Sequence, residues 1–296
     1  MKFLCALLIL CLMQSCNHEE AEITGPESRY IAFGTPQKMN VLNYDGEIME
    51  PFLSKDGQTL FFNNLNDASV NTNLHYATKV DALNFVYQGE LQGVNTESLE
   101  GVPTMDAANN FYFVSTRNYD DTFSTIFQGV FKDGAISDIQ LVSGISRNEA
   151  GWVNFDVEVS EDGNWLYFVD GKFNTFGGPH EANLVLAQKV DNSFQRVADQ
   201  SIFKLINTDD LEYAACISSD LLEIYFTRVA APISEDSQPQ IYVATRDSVD
   251  EAFHKPYKID AITGFVEGPT ISPDNQSIYF HKKVDGKFEL YMITKE

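Results

Sequence analysis

The chain has 296 residues, 44% of them hydrophobic and 12% aromatic, which is enough to bury a full core without a metal or a disulfide. Its 43 acidic and 20 basic residues leave a formal net charge of -23, with the acids spread along the whole length. A surface of that sign repels phosphate backbones and anionic headgroups, which argues against nucleic acid as a partner and against docking on lipid through the protein face.

Residues 1–15 carry Lys2, an apolar run over 3–13 and then Gln14-Ser15, the pattern of an export signal. The run is shorter than the ~20 residues that span a bilayer. Leu12-Met13-Gln14-Ser15-Cys16 resembles a bacterial lipobox, which implies that Cys16 becomes the lipidated first residue of the mature chain. Residues 16–29 then read as a polar tether, and its acidic start, Glu19-Glu20-Ala21-Glu22, is similar to the surface-export signals of Bacteroidota lipoproteins. The expectation is an outer-membrane lipoprotein, periplasmic or cell-surface, that touches the membrane through its lipid anchor only. Beyond Cys5, Cys11 and Cys16 only Cys216 remains, so no intrachain disulfide is expected in the mature domain. Cys216 lies in an apolar stretch and reads as a small packing residue.

One unit recurs five times, at 50–62, 100–113, 156–168, 212–226 and 267–280. A fixed period of that size calls for a repeat architecture before any other fold. Each copy opens with a short inner run such as Phe52-Leu53 or Thr270-Ile271. A turn follows, as in Ser54-Lys55-Asp56-Gly57, Ser160-Glu161-Asp162-Gly163, Ser218-Ser219-Asp220 and Ser272-Pro273-Asp274-Asn275. Asp, Asn and Gly suit it because they tolerate positive φ or bond their own backbone. An aromatic strand returns, as in Leu60-Phe61-Phe62 or Ile278-Tyr279-Phe280, with residue types that fill the space between packed sheets.

A third, alternating strand runs from Leu74-His75-Tyr76-Ala77 in the first copy to Glu289-Leu290-Tyr291-Met292-Ile293 in the last. A fourth follows at 89–94, 139–142, 202–206 and 257–262, giving the four strands of a propeller blade. The last copy lacks a fourth strand, and Lys38-Met39-Asn40-Val41-Leu42 reads as an unpartnered one that closes the ring. The predicted fold is all-β: a five-bladed β-propeller over residues 30–296, four antiparallel strands per blade, the N-terminal strand closing the last blade. The second copy, with Met105-Asp106-Ala107-Ala108-Asn109, and the fourth, with Leu221 in place of Gly, predict altered turns.

The units at 50–57 and 267–274 resemble the WD-like repeats of TolB-type propellers, as does Ala244-Thr245-Arg246 followed by Phe253-His254-Lys255-Pro256. The resemblance extends repeat by repeat over the mature domain. It implies the propeller fold and leaves function open, because that family includes protein-binding platforms, sensor domains and appendages of enzymes.

The inner strands are expected to bring Glu50, Glu100, Asp156, Glu212 and Glu267 toward the axis. Carboxylates gathered there would bind a cation, pair with basic groups or raise one another's pKa; capping the backbone amides of the neighbouring blade is the plainer reading. The segments 170–181 and 228–239 are long loops between second and third strands and break the symmetry, which is where binding residues concentrate on a rigid frame. They offer Phe173, Phe176 and, nearby, Trp152 for stacking on a sugar or peptide, His180 as proton carrier or ligand, and Arg228. The histidines show no HxH or HExxH spacing, and no Gly-x-Ser-x-Gly elbow or phosphate loop is present, so no metal or cofactor is expected.

The function expected is a cell-envelope lipoprotein whose channel face is a binding platform for a glycan, a peptide or a partner protein. The alternative is a glycoside hydrolase working through two inner-strand carboxyl groups, about 5 Å apart if retaining or about 6.5–9.5 Å if inverting. Binding is preferred because acids shared by the blades read as repeat features, whereas catalytic groups should be peculiar to individual blades.

Overall fold

The computed structural model describes residues 24–67, 72–174 and 177–296; Cys16 and Phe176 lie outside them. Among the described residues no helix is long and apolar enough to cross a membrane. The first repeat is Met49–Leu53, Thr59–Asn63, Leu74–Lys79 and Asn84–Glu90, and the second is Glu100–Met105, Asn110–Ser115, Ile126–Lys132 and Ala135–Leu141. The third runs Val157–Val159, Trp165–Phe173, Pro179–Val190 and Ser193–Arg196; the fourth runs Leu211–Ile217, Glu223–Val229, Gln240–Thr245 and Tyr257–Lys258. The fifth supplies Val266–Ile271, Ser277–Val284 and Lys287–Thr294. Within each repeat successive strands pair antiparallel.

The three consecutive apolar residues of each second strand have a simple cause. Neighbouring side chains of a strand face opposite ways, and here both faces are buried. Phe61, Tyr112, Tyr167, Tyr225 and Tyr279 point forward into the core shared with the next repeat, and the residues on either side of each point back into the core shared with the previous one. The hydrophobic cores therefore lie between repeats, and each binds two of them together. The innermost strands pack one on the next, and Val266–Ile271 packs on Met49–Leu53, so the circuit closes.

Three expectations need correction. The fourth strand of the third repeat is Ser193–Arg196 and not 202–206, where the 3-10 turn Ser201–Phe203 stands instead. The N-terminal segment does not act as one strand: Gln37–Lys38 pairs antiparallel with Lys287–Thr294, whereas Asn40–Leu42 pairs in parallel with Asn84–Glu90. Met39 and Val41, both buried, are the reason, because they enter the core between the fifth and first repeats and the segment sews the two together. The hydrogen-bonded sheets also differ from separate four-stranded ones, since a single parallel pairing of Ala182 with Leu211 joins the third and fourth repeats into nine strands.

The turns, expected to vary, are alike. Gly57, Asn109, Gly163, Leu221 and Asn275 all take the left-handed conformation, with φ of 71, 66, 71, 62 and 59°. In the second repeat Asp106 replaces the serine and accepts the N–H groups of Ala108 (2.8 Å) and Asn110 (2.9 Å). Leu221 adopts the glycine conformation in spite of its side chain.

Candidate active site

Aligned on the turn, Glu50, Val102, Asp156, Ala214 and Gly268 occupy one position of the inner strand. Four of them have positive φ (Glu50 44°, Val102 52°, Ala214 50°, Gly268 61°), and the pairing shifts register beside each. The result is a β-bulge that frees the residue's N–H from the ladder. A polar side chain of the preceding repeat accepts it: Asn63 Oδ1 from Val102 (3.1 Å), Asp156 Oδ2 from Ala214 (3.2 Å), Thr227 Oγ1 from Gly268 (3.2 Å) and His281 Nδ1 from Glu50 (3.1 Å).

The five acids divide into two kinds. Glu100 and Glu212 stand two residues before the bulge position and are wholly buried. Glu100 pairs with Arg117 (3.0 Å) and accepts the Thr96 N–H (2.8 Å); Glu212 pairs with Arg228 (2.7 Å) and accepts the Thr208 N–H (3.0 Å). Arg228 also donates to the Ile206 carbonyl (2.6 Å) and lies 4.7 Å over the Tyr242 ring. The same construction made twice is a device of the repeat.

Glu50, Asp156 and Glu267 converge on the channel. Glu50 and Asp156 line a cavity of about 30 Å³ together with Val102, Ala214 and Gly268. That leaves room for water and none for a sugar ring. Glu267 Oε2 lies 3.2 Å from His281 Nε2, its Oε1 accepts the Tyr213 O–H, and Asn66 donates to Glu50 Oε1 at 2.9 Å. Burial, then the charge of Glu50, raises the pKa of Asp156 well above the ordinary carboxylate value, against the pull of the Ala214 N–H. Burial also raises Glu50, opposed by His281 and reinforced by Glu267. Tyr213 is driven upward by burial and by Glu267, so it remains a phenol and a donor.

His281 is under opposing demands. Burial disfavours its cation, yet the Glu267 bond and the charges of Glu50 and Glu267 outweigh burial and raise its pKa. The Glu50 N–H aimed at Nδ1 requires a lone pair there, and this contact fixes the neutral Nε2–H tautomer. The cation forms only by giving up that bond.

The rim of the channel is aromatic on one side. Phe155 meets Phe173 edge to face (5.7 Å, 89°) and Tyr213 at a tilt (5.8 Å, 56°), and all three are partly exposed. Gly171 makes room, since a Cβ there would stand 2.3 Å from the Phe155 ring. Trp152 is not part of this rim: it is buried, with Arg147 3.8 Å and Lys172 5.3 Å from its ring centroid. His180 is exposed on Pro179–Val190 and makes no described contact with the acids. Among the described residues no three His, Cys, Asp or Glu side chains are disposed to hold a metal ion.

Phe155, Tyr213, Asn66, Gly268 and His281 were missed in the sequence. A signal for three of them was present. One residue before the bulge the repeats carry Met49, Gly101, Phe155, Tyr213 and Glu267, and after the aromatic triplet they carry Asn63, Val114, Val169, Thr227 and His281.

No family model and no curated protein matches the chain. Among solved structures it is similar to the native arabinanase Arb43A of Bacillus subtilis (11% identity, 85% of this chain and 94% of that one, TM-score 0.58). It is similar to the endo-arabinase of Bacteroides thetaiotaomicron (12% identity, 90% and 98%, TM-score 0.53) and to a putative TolB from Agrobacterium tumefaciens (13% identity, 83% and 74%, TM-score 0.47). The chain has the β-propeller fold. TolB is one fold neighbour beside many glycoside hydrolases, which include an α-L-arabinofuranosidase and a putative exo-β-1,3-galactanase. This corrects the expectation of a lipoprotein binding platform, which none of these likenesses supports, and shifts the weight to the alternative. Glu100 and Glu212 make the same arginine pair twice, whereas Glu50, Asp156 and Glu267 stand in environments that differ.

Proposed function

We propose that the chain is a five-bladed β-propeller glycoside hydrolase whose reacting groups are Asp156, Glu267 and Glu50. The blade count is supported by the closed circuit of inner strands and by the cores between successive repeats. The observation that carries the function is the convergence of Glu50 and Asp156 on one cavity, with Glu267 close enough to act on both, in environments that differ.

Hydrolysis of a glycosidic bond needs one carboxyl that keeps its proton for the leaving oxygen and another that is ionised. Asp156 is the proton donor: burial and the charge of Glu50 raise its pKa and so favour the protonated form, and Ala214 engages only one of its oxygens. Glu267 is the ionised partner, a carboxylate that receives the Tyr213 O–H and the His281 Nε2–H. Glu50 acts through its charge on Asp156. The cavity beneath is too small for a sugar ring, so the sugar sits above it on the partly exposed rings of Phe155 and Phe173, which suit the apolar face of a pyranose or furanose. Glycans containing arabinose or galactose are the substrate class to try first, on the names of the fold neighbours.

The test is release of reducing ends from a panel that includes arabinan and galactan, by the wild type and by Asp156→Asn. Release by the wild type that falls at least 100-fold in the variant, at equal folded fraction, is expected. A wild type inert on the whole panel sinks the reading. We also propose export and lipid anchoring at Cys16 to the outer membrane, supported by the pattern of residues 1–16. A mature N-terminal peptide without acyl chains in mass spectrometry rules the anchor out.

A further inference from the structure

At four junctions the N–H freed by the bulge needs only an acceptor from the repeat before it, and the chain meets that need with four different residues. Asn63 serves between the first and second repeats, Asp156 between the third and fourth, Thr227 between the fourth and fifth, and His281 between the fifth and first, where it joins residues 231 positions apart. An amide or a hydroxyl is sufficient for the latch. Histidine adds a second nitrogen on the far side of the ring, and here that nitrogen lies 3.2 Å from Glu267 Oε2.

The surroundings are built to hold the imidazole in this one pose. Its ring is wholly buried, with Phe288 edge to face at 5.3 Å and 82°. Gly268 lies against it: a Cβ at that position would stand 2.6 Å from Glu50 Oε2 and 3.0 Å from His281 Nδ1, and its φ of 61° suits glycine. The Glu50 N–H occupies Nδ1 and thereby places the only ring proton on Nε2, directed at Glu267. The other Glu267 oxygen takes the Tyr213 O–H, so both of its oxygens are fixed by donors from the fourth and fifth repeats. The charged and titratable groups facing the ring are Glu50 and Glu267, with Asp156 and Tyr213 beyond them.

We infer that His281 is a positioning residue: latched by the Glu50 N–H as its Nε2–H tautomer, it orients the Glu267 carboxylate at the channel mouth and makes closure of the ring a condition of a correctly aimed site. The inference rests on the proposed hydrolase reading for its catalytic part, and its structural part stands without it. Asn63 shows that an asparagine serves as the latch. His281→Asn therefore keeps an acceptor near the Nδ1 position and removes the donor to Glu267, whereas His281→Gln carries a donor toward Glu267 and loses the near acceptor.

The experiment has two arms on the full mature chain. Nitrogen-15 NMR of the imidazole at a pH above its titration is expected to show a bare Nδ1 and a protonated Nε2 whose resonance moves in Glu267→Gln; a neutral ring with its proton on Nδ1 overturns the inference, whether or not any glycan is cleaved. Kinetics with thermal melts form the second arm. His281→Asn is expected to melt close to the wild type with kcat lowered about 100-fold, the scale of a misplaced reacting group. His281→Gln is expected to melt lower and to recover part of kcat. Equal kcat per folded molecule in the wild type and His281→Asn contradicts positioning. A wild type inert on every glycan, with the NMR result as expected, removes the hydrolase reading and leaves the latch.

Discussion

The carboxylate of Asp156 accepts the backbone N–H of Ala214 at 3.2 Å, so the acid that lines the channel also clasps the bulge of the next repeat. Its pKa is raised all the same, because burial and the charge of Glu50 outweigh the single N–H. A raised carboxyl pKa contributes stability that is fully present below the unfolded value and is lost as pH rises through the folded value. The loss amounts to about 1.4 kcal/mol for each unit by which the pKa is displaced. Asp156→Asn keeps the acceptor and removes the titration. Its melting temperature relative to the wild type is expected to climb steadily from acidic pH through neutrality. A difference that does not vary with pH contradicts the assignment.

Glu212 and Arg228 form a buried ion pair. Removing one partner of a buried pair leaves the other charge uncompensated, which costs about 3–5 kcal/mol. Arg228→Ala is expected to lower stability by that amount in chemical denaturation, and Arg117→Ala should do the same through Glu100. The double replacement Glu212→Gln with Arg228→Met should recover much of the loss. If Arg228→Ala is neutral for stability and removes activity, Arg228 belongs to the site.

The repeat was legible because its causes are local. Three consecutive apolar residues at each second strand answer to two buried faces, and Ser-x-Asp-Gly answers to a turn with one left-handed residue. Leu221 shows that the position in the turn matters more than the residue type usually found there. The site was less legible. Glu50, Glu100, Asp156, Glu212 and Glu267 look equivalent in sequence, yet they fall at three different positions relative to the bulge. Glu100 and Glu212, two residues before it, meet arginines, while Glu50 and Asp156, at the bulge position itself, line the channel. His281 could not be connected to Glu50 without knowing that the last repeat meets the first.

The aromatic rim gives a test of binding apart from chemistry. Phe155→Ala removes the stacking face, and Gly171→Ala displaces the same ring by placing a Cβ 2.3 Å from it. Both are expected to raise KM for a glycan by roughly 5-fold, consistent with about 1 kcal/mol of lost aromatic contact, with kcat changed little. A fall in kcat with KM unchanged contradicts a binding role for the ring.

Gly268→Ala should be costly for two independent reasons, its φ of 61° and the close approach of Glu50 and His281. The conformational part is about 1–2 kcal/mol, and the contact adds to it. Denaturant titration is expected to show at least that loss, and a neutral variant contradicts the packing described around His281.

The most direct measurement compares two substrates in Asp156→Asn, one glycoside with an alkyl leaving group and one with a 2,4-dinitrophenyl group that departs without protonation. A proton donor is expected to be needed for the first and dispensable for the second, so the variant should lose on the order of 10²–10⁴-fold on the alkyl glycoside and little on the other. Equal losses on both, or cleavage of the alkyl glycoside at the wild-type rate, would contradict the account of Asp156 as the acid of a glycoside hydrolase.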